Sequence, residues 1–381
     1  MVKRIVKAII VISCFLIIIG CSNDRQLEVN NHQEKKLMIE KKDQLKQQIS
    51  IAAVGDMLIH SEVYEDAKTK NGYDFTPMLK DVKPFLKDAT ITTANQKTVI
   101  GGQALGLSSY PSFNSPFEVG DALKDAGVDI VTLANNHTLD RGEKAIQQAI
   151  KHWEKIDMMY TGAYKSKKDQ QRIRVYKTEA GIDVAFLAYT YGTNGIPVPK
   201  GKDYLVNLID KEKIAKDVAQ AKKQADAVIL QLHVGTEYKM LPNQEQKDLV
   251  QFAADQGVHA VIGHHPHVLQ PFNWVKGKNG NKMFVAYSLG NFLSGQDEIY
   301  RRFGGIVKFQ ITKSEKDGKT TIEVNHPAFL PTFVKFKQEA DFQVLPLAKV
   351  TNEDLKGTKE YYYEIKEHVS QWMPELKIME P

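Results

Sequence analysis

Cysteine is almost missing from this chain. Of 381 residues only two are cysteines, Cys14 and Cys21, and both fall in the first 21 positions. Everything after Cys21 therefore lacks a disulfide framework, a cysteine zinc site and a thiol nucleophile. Long apolar runs are missing too. The longest, Ala8 to Ile19, is interrupted by Ser13 and Cys14 and falls short of the roughly 20 residues a membrane-spanning helix needs. Glycine and proline are absent from Ser22 to Gln48. No stripe of Arg and Lys interleaved with aromatics occurs, which argues against a nucleic-acid partner. No sign of charge dominates either. Lys and Arg number 51 against 46 Asp and Glu, and the net +5 includes the basic N-terminus. No internal repeat stands out, so a solenoid or propeller is not indicated.

What remains is ordinary globular material, 42% hydrophobic and 25% charged. A chain of this length can be stable through its core alone. Its N-terminus is distinct. Lys3, Arg4 and Lys7 precede the short apolar run, which ends in Ile18-Ile19-Gly20-Cys21. That is the layout of a secretory signal peptide, and its end resembles the lipobox of bacterial lipoproteins. The expectation is a leader over residues 1–20 and a lipid on Cys21, placing the chain on the outer face of a cell membrane. An uncleaved signal anchor is the plainer alternative. Residues 21–49 are polar and charged and read as a tether, with some helical tendency around Glu34–Gln47.

From Ile51 onward, short β-branched runs alternate with amphipathic stretches. Strands are expected at Ile51–Val54, Ala89–Thr93, Val128–Leu133, Val184–Ala188, Ala227–Leu232, His259–Ile262 and Phe284–Tyr287. Helices are expected at Val119–Ala126, Gly142–Ile156, Lys211–Gln224 and Gln244–Gln256. This alternation predicts a layered α/β domain over residues 50–330. A late hairpin is expected from Gly305–Ile311 and Thr320–Val324, turning at Lys316-Asp317-Gly318. Residues 331–381 have no clear period and read as an extension of that domain.

The polar residues cluster at strand ends. Gly55-Asp56 follows the first strand. Ala134-Asn135-Asn136-His137 follows the third, with Asp140 just beyond. His233 follows another and leads into Gly235-Thr236-Glu237-Tyr238. Gly263-His264-His265-Pro266-His267 and Tyr287-Ser288-Leu289-Gly290-Asn291-Phe292 follow the next two. In α/β sheets the carboxyl ends of strands share one edge, so these loops should converge. Imidazole, carboxylate and amide together suit a divalent ion such as Zn, Mn or Fe. Each piece alone has a plain reading. Gly-Asp is usually a turn, a lone His at a strand end is usually structural, and Asn-Asn suits a left-handed bend. Three histidines within four residues are harder to explain that way.

The ordered series of these motifs, with Asn95-Gln96 and Phe113-Asn114-Ser115-Pro116 between them, resembles the bacterial CapA family of poly-γ-glutamate capsule-biosynthesis proteins. The resemblance runs from about Ile51 to Ile311. It implies a calcineurin-like metallophosphoesterase fold, a four-layered sandwich of two mixed sheets flanked by helices, with one or two divalent ions. Carried over, it makes Asp56 a carboxylate ligand, Asn136 an amide ligand, and His233, His265 and His267 imidazole ligands, with His264 behind them. His137 would be the general acid. Asn114, Asn135 and Glu237 would orient ligands or substrate. The implied partners are poly-γ-glutamate or the membrane subunits of its synthase. A surface phosphoesterase and a non-catalytic scaffold are the alternatives. Two departures stand out. Val234 follows His233 where the family usually has Trp. Lys97 stands where the family usually has the Glu that lies between two metals.

Overall fold

A computed structural model describes residues 45–381. The expected leader, Cys21 and most of the tether lie outside the described residues. Two mixed sheets form the body. The first runs, edge to edge, through Ala340–Pro346, Lys319–Lys337, Phe303–Lys316, Leu45–Leu58, Ile91–Gln96, Ile130–Thr132 and Met159–Thr161. The short strand Asn291–Ser294 also pairs with Leu45–Leu58. The second sheet runs through Leu269–Lys276, Lys282–Leu289, Ala260–His264, Ala227–His233, Val184–Thr190 and Arg174–Tyr176. Parallel pairing at the centre of each gives way to antiparallel pairing at an edge.

Alternation along the strands builds the layers. Ile51 and Ala53 face a layer shared with Ile130, Phe186, Ile229, Ile262 and Phe284, so these side chains lie between the two sheets. Ala52 and Val54 face the other way, toward Val63, Leu123, Ile150 and Trp153 of the covering helices. On the far side, Val228 and Leu230 meet Ile214 and Val218 of the helix Lys211–Ala221 and Leu249 and Ala253 of the helix Gln244–Gln256. The result is helix, sheet, sheet, helix, the four-layered sandwich of two mixed sheets that the sequence predicts. The helix Gln244–Gln256 begins where its residues dictate. Asn243 caps it and Gln246 closes the reciprocal bond of a capping box.

Some boundaries differ from expectation. The first strand starts at Leu45, so the end of the supposed tether is strand rather than helix. The strand expected over Val128–Leu133 is only Ile130–Thr132, and the helix from Lys211 ends at Ala221. Residues 331–381 are ordered elements of the main unit, Gln48–Thr312 with Ile322–Pro381. They include the helix Thr358–Ser370, and Lys377–Ile378 pairs with Ala328–Phe329. The hairpin tip Lys313–Thr321 belongs to a second, small unit and turns at Asp317-Gly318 with both φ angles positive. Among the described residues no helix is long and apolar enough to cross a membrane.

Candidate functional site

The carboxyl ends of the central strands of both sheets meet at one rim. Two close approaches make this possible. A Cβ at Gly55 would lie 2.1 Å from the Gly290 carbonyl oxygen, and one at Gly263 would lie 1.9 Å from that of Tyr287. Only glycine fits at either point. The pairing register of the first strand shifts at Gly55, and such a bulge re-aims the side chain beside it, here Asp56. His265 and His267 follow their strand with φ of 101° and 62°, a backbone rarely adopted by side-chain-bearing residues.

Asp56 is buried at the centre. Its Oδ1 accepts from Asn95 Nδ2 at 2.7 Å and lies 3.5 Å from His264 Nδ1. Its Oδ2 lies 3.3 Å from Lys97 Nζ, an ion pair not aligned as a hydrogen bond. Lys97 is 0% exposed, and its Nζ lies 2.8 Å from His267 Nε2. His267 Nδ1 meets Asn291 Oδ1 at 2.9 Å. A second group lies alongside. His233 Nε2 is 3.0 Å from Asn136 Oδ1, and Asn136 donates to Asn194. Asn95 Nδ2 stands 3.3 Å from His233 Nδ1. The His265 ring packs on Tyr191 and on His233, with centroids 4.7 and 5.0 Å apart. The His265 and His267 ring centroids are 6.2 Å apart, with His267 turned to Lys97 and His265 against Tyr191 and His233.

The remaining predicted residues divide. His137 Nδ1 lies 2.7 Å from Asp140 Oδ2 and 3.3 Å from Asn194 Nδ2, at the wall of a cleft of about 700 Å³. Glu237, half-exposed, borders the same cleft 4.0 Å from His267 Nε2. Asn114 is elsewhere. Its amide accepts from Gly101 N and donates to the carbonyls of Gly102 and Gly106, so it braces a loop. Asn135 accepts from His137 N and donates to the Gln96 carbonyl, tying two site loops together. Sequence reasoning missed Asn95 and Asn291 as individual site residues, although both lay inside quoted motifs. It missed Asn194 entirely, since no motif surrounds it. A larger hollow of about 880 Å³ beside the helix Lys211–Ala221 holds none of these residues.

Burial governs the charges. Burial alone would raise the Asp56 carboxyl, but the Lys97 ammonium, then His264, outweigh it and hold it well below the usual carboxylate range. Burial pulls the Lys97 ammonium down, offset in part by Asp56 and Glu237. Burial, then Lys97, pushes His233, His265 and His267 down, His265 to about 3. These three imidazoles are neutral.

Does this donor set fit the ions the resemblance implies? Buried Asp56 Oδ2, His264 Nδ1 and His265 Nδ1 have no hydrogen-bond partner. Yet Asp56 Oδ2 and His267 Nε2 both face an ammonium. A dication about 4 Å from it would be repelled by about 8 kcal/mol at an effective dielectric near 20. His233 has both nitrogens engaged by amides. Among the described residues no group of three or more His, Cys, Asp or Glu is arranged to hold a metal ion. The residues do not fit a two-ion centre.

Fold and loops together thus define a four-layered α/β sandwich whose strand-end loops converge on the buried Asp56–Lys97 pair. Residues 50–296 match the family described as bacterial capsule synthesis protein PGA_cap, and the chain belongs to that family. The capsule biosynthesis protein CapA of Bacillus anthracis is 29% identical over 278 residues, 70% of this chain and 64% of that protein. The PGA biosynthesis protein CapA of Bacillus subtilis is 32% identical over 193 residues, covering 50% of this chain and 49% of the relative. The chain thus spans less than two thirds of either relative's length. Among solved structures, a Staphylococcus aureus protein described as a 5′-nucleotidase overlaps 83% of this chain and 58% of its own, at 16% identity and a TM-score of 0.42.

Proposed function

We propose that this chain is a membrane-anchored, extracellular component of poly-γ-glutamate capsule synthesis or export that does not hydrolyse phosphoesters. The family match over residues 50–296 supports the capsule role. The basic, short, lipobox-like N-terminus supports the lipid anchor on Cys21. The observation that carries the non-hydrolytic reading is the buried Lys97 ammonium, set between Asp56 and His267. The domain then serves as a scaffold for the synthase or its polymer. Deleting the gene and restoring it with wild type or with His137→Ala tests both parts. Capsule should be lost on deletion and restored by each, with no hydrolysis of a generic phosphodiester by the purified chain. Unchanged capsule on deletion refutes the capsule role. The intact His137–Asp140 pair favours a second reading, a surface phosphoesterase. Turnover by wild type that His137→Ala abolishes would establish it.

A further inference from the structure

We propose that Lys97 is a built-in cation. Its ammonium stands where a divalent ion would bind between Asp56 and His267, and that part of the site keeps its shape with no metal.

The hydrogen-bond directions converge on this. Asn291 Nδ2 donates to the Arg301 carbonyl at 2.8 Å and to Gln296 Oε1 at 2.9 Å. Its Oδ1 is left to accept, so the proton of neutral His267 sits on Nδ1. That leaves the Nε2 electron pair facing inward. Metal-binding histidines are held in just this way, with one ring nitrogen donating to a fixed acceptor while the other faces the ion. Here the group facing Nε2 is Lys97 Nζ, 2.8 Å away. An ammonium has three donors and no acceptor, so it can only donate into that pair. The same Nζ lies 3.3 Å from Asp56 Oδ2. Asp56 is held in turn by Asn95, whose Oδ1 accepts from Thr132 and whose Nδ2 therefore points at the carboxylate.

A divalent ion would need the same two sets of electrons, the His267 Nε2 pair and an Asp56 oxygen, at about 2.0–2.2 Å. Ion and ammonium are therefore mutually exclusive. Lysine's four-carbon stem explains how one residue replaces both a bridging carboxylate and an ion. Its backbone begins right after the strand Ile91–Gln96, with Lys97 N bonded to the Met57 carbonyl. The stem crosses the space, and the charge ends at the far side, against His267. Tyr238 stacks on the outer side of His267 with ring centroids 5.8 Å apart, and the Arg301 guanidinium lies 3.7 Å over Tyr238. The ammonium is thereby closed off from water.

The inference rests on the non-hydrolytic part of the reading above and not on the capsule part. Its test reads metal content and thermal unfolding, so it can fail while hydrolysis remains absent. The full chain, Lys97→Met and Lys97→Glu are purified and dialysed against EDTA. Each is then scanned with EDTA, Mn²⁺ or Zn²⁺, and bound metal is counted by mass spectrometry. Wild type should hold no stoichiometric ion and keep one Tm in all three conditions. Either variant should be less stable in EDTA, take up Mn²⁺ or Zn²⁺, and gain Tm when it does. Two results overturn the proposal. One is a wild type that holds an ion which EDTA removes with a fall in Tm and which His267→Gln no longer binds. The other is a pair of variants as stable as wild type in EDTA and indifferent to metal. If neither variant folds, the wild-type measurement decides alone.

Discussion

Three buried neutral imidazoles make this domain acid-labile well above the range where carboxylates titrate. His233, His265 and His267 are each at most 4% exposed, and burial followed by Lys97 lowers all three. A histidine whose folded pKa is depressed stays neutral in the fold as pH falls. In the unfolded chain it takes a proton near pH 6.5. The unfolded state then binds more protons, so stability drops as pH falls below about 6.5 and keeps dropping until the folded pKa is reached. At pH 5 each such imidazole costs about 2 kcal/mol, against about 0.2 kcal/mol at pH 7. Three together remove about 5 kcal/mol, comparable with a small domain's whole stability of about 5–15 kcal/mol.

Burial also lowers His60, His259 (to about 4) and His368, which adds to the acid loss in the same direction; the other shifted groups at the site act outside this window. The Asp56 carboxyl, held well below its usual value, costs stability only as pH falls below about 3.9, its unfolded value. The Lys97 ammonium, lowered by burial, acts on the alkaline side, where stability rises between its folded pKa and its unfolded one. The assay is urea unfolding at pH 7 and pH 5 at constant ionic strength. The expected result is a large fall in the midpoint with an unchanged slope. His265→Leu should flatten the pH dependence by about one proton's worth. Stability that is flat between pH 7 and 5 would refute the reasoning. It would mean that the imidazoles already carry charge in the fold, or that water reaches them.

Other consequences are simpler to state. Cys21→Ala should abolish incorporation of labelled fatty acid and leave the leader uncleaved by the lipoprotein peptidase; continued labelling of that variant rules the anchor out. Asn114→Ala should cost about 1–3 kcal/mol, since it leaves the Gly101 amide unpaired while the Gly102 and Gly106 carbonyls keep Leu105 N and Arg141 Nη1; chemical denaturation measures this, and a neutral result would mean that water replaces the amide. Asn291→Ala should free His267 to rotate and weaken its contact with Lys97, seen as loss of a slowly exchanging His267 Nδ1 proton in NMR spectra.

Much of the architecture was legible because periodicity reports burial directly. Ile51 to Val54, buried on both faces, reads as a central strand, and the helix expected over Gln244–Gln256 has those bounds in the structure. The stretch leading into residues 331–381 was not legible, and Pro327 and Pro331 show why. Prolines argue against a strand because they cannot donate to a ladder. Yet Lys319–Lys337 is one strand of 19 residues. It changes partner near these prolines, pairing with Lys377–Ile378 at Ala328–Phe329 and with Ala340–Pro346 from Thr332 onward. Pro331 falls at the change. At the site, sequence placed residues on the correct rim but not their side chains. Asn114 and Asn136 carry the same amide, and only the fold decides that one braces a loop while the other faces a histidine. Lys97 was conspicuous as a departure, yet its position in the chain did not say where the stem would carry the charge.

The position of that charge bears on the polymer. A cleft floored by two divalent ions would attract a polyanion such as poly-γ-glutamate. With Lys97 in place, the cleft and its floor carry three carboxylates, those of Asp56, Asp140 and Glu237, against the Lys97 ammonium and the Arg301 guanidinium over Tyr238, a net charge of about −1. Lys97 is spent on Asp56, and the His267 imidazole beside it is neutral. Electrostatics therefore opposes a carboxylate chain at this site, by several tenths of a kcal/mol or more per charge at effective dielectrics above 20. Binding of poly-γ-glutamate to the purified chain should be weak at this cleft, and Glu237→Gln should strengthen it, most clearly at low salt. Tight binding that Glu237→Gln leaves unchanged, at any ionic strength, would place the polymer on another surface. Tight binding that Glu237→Gln weakens would show that the cleft grips the polymer by hydrogen bonds strong enough to override its charge.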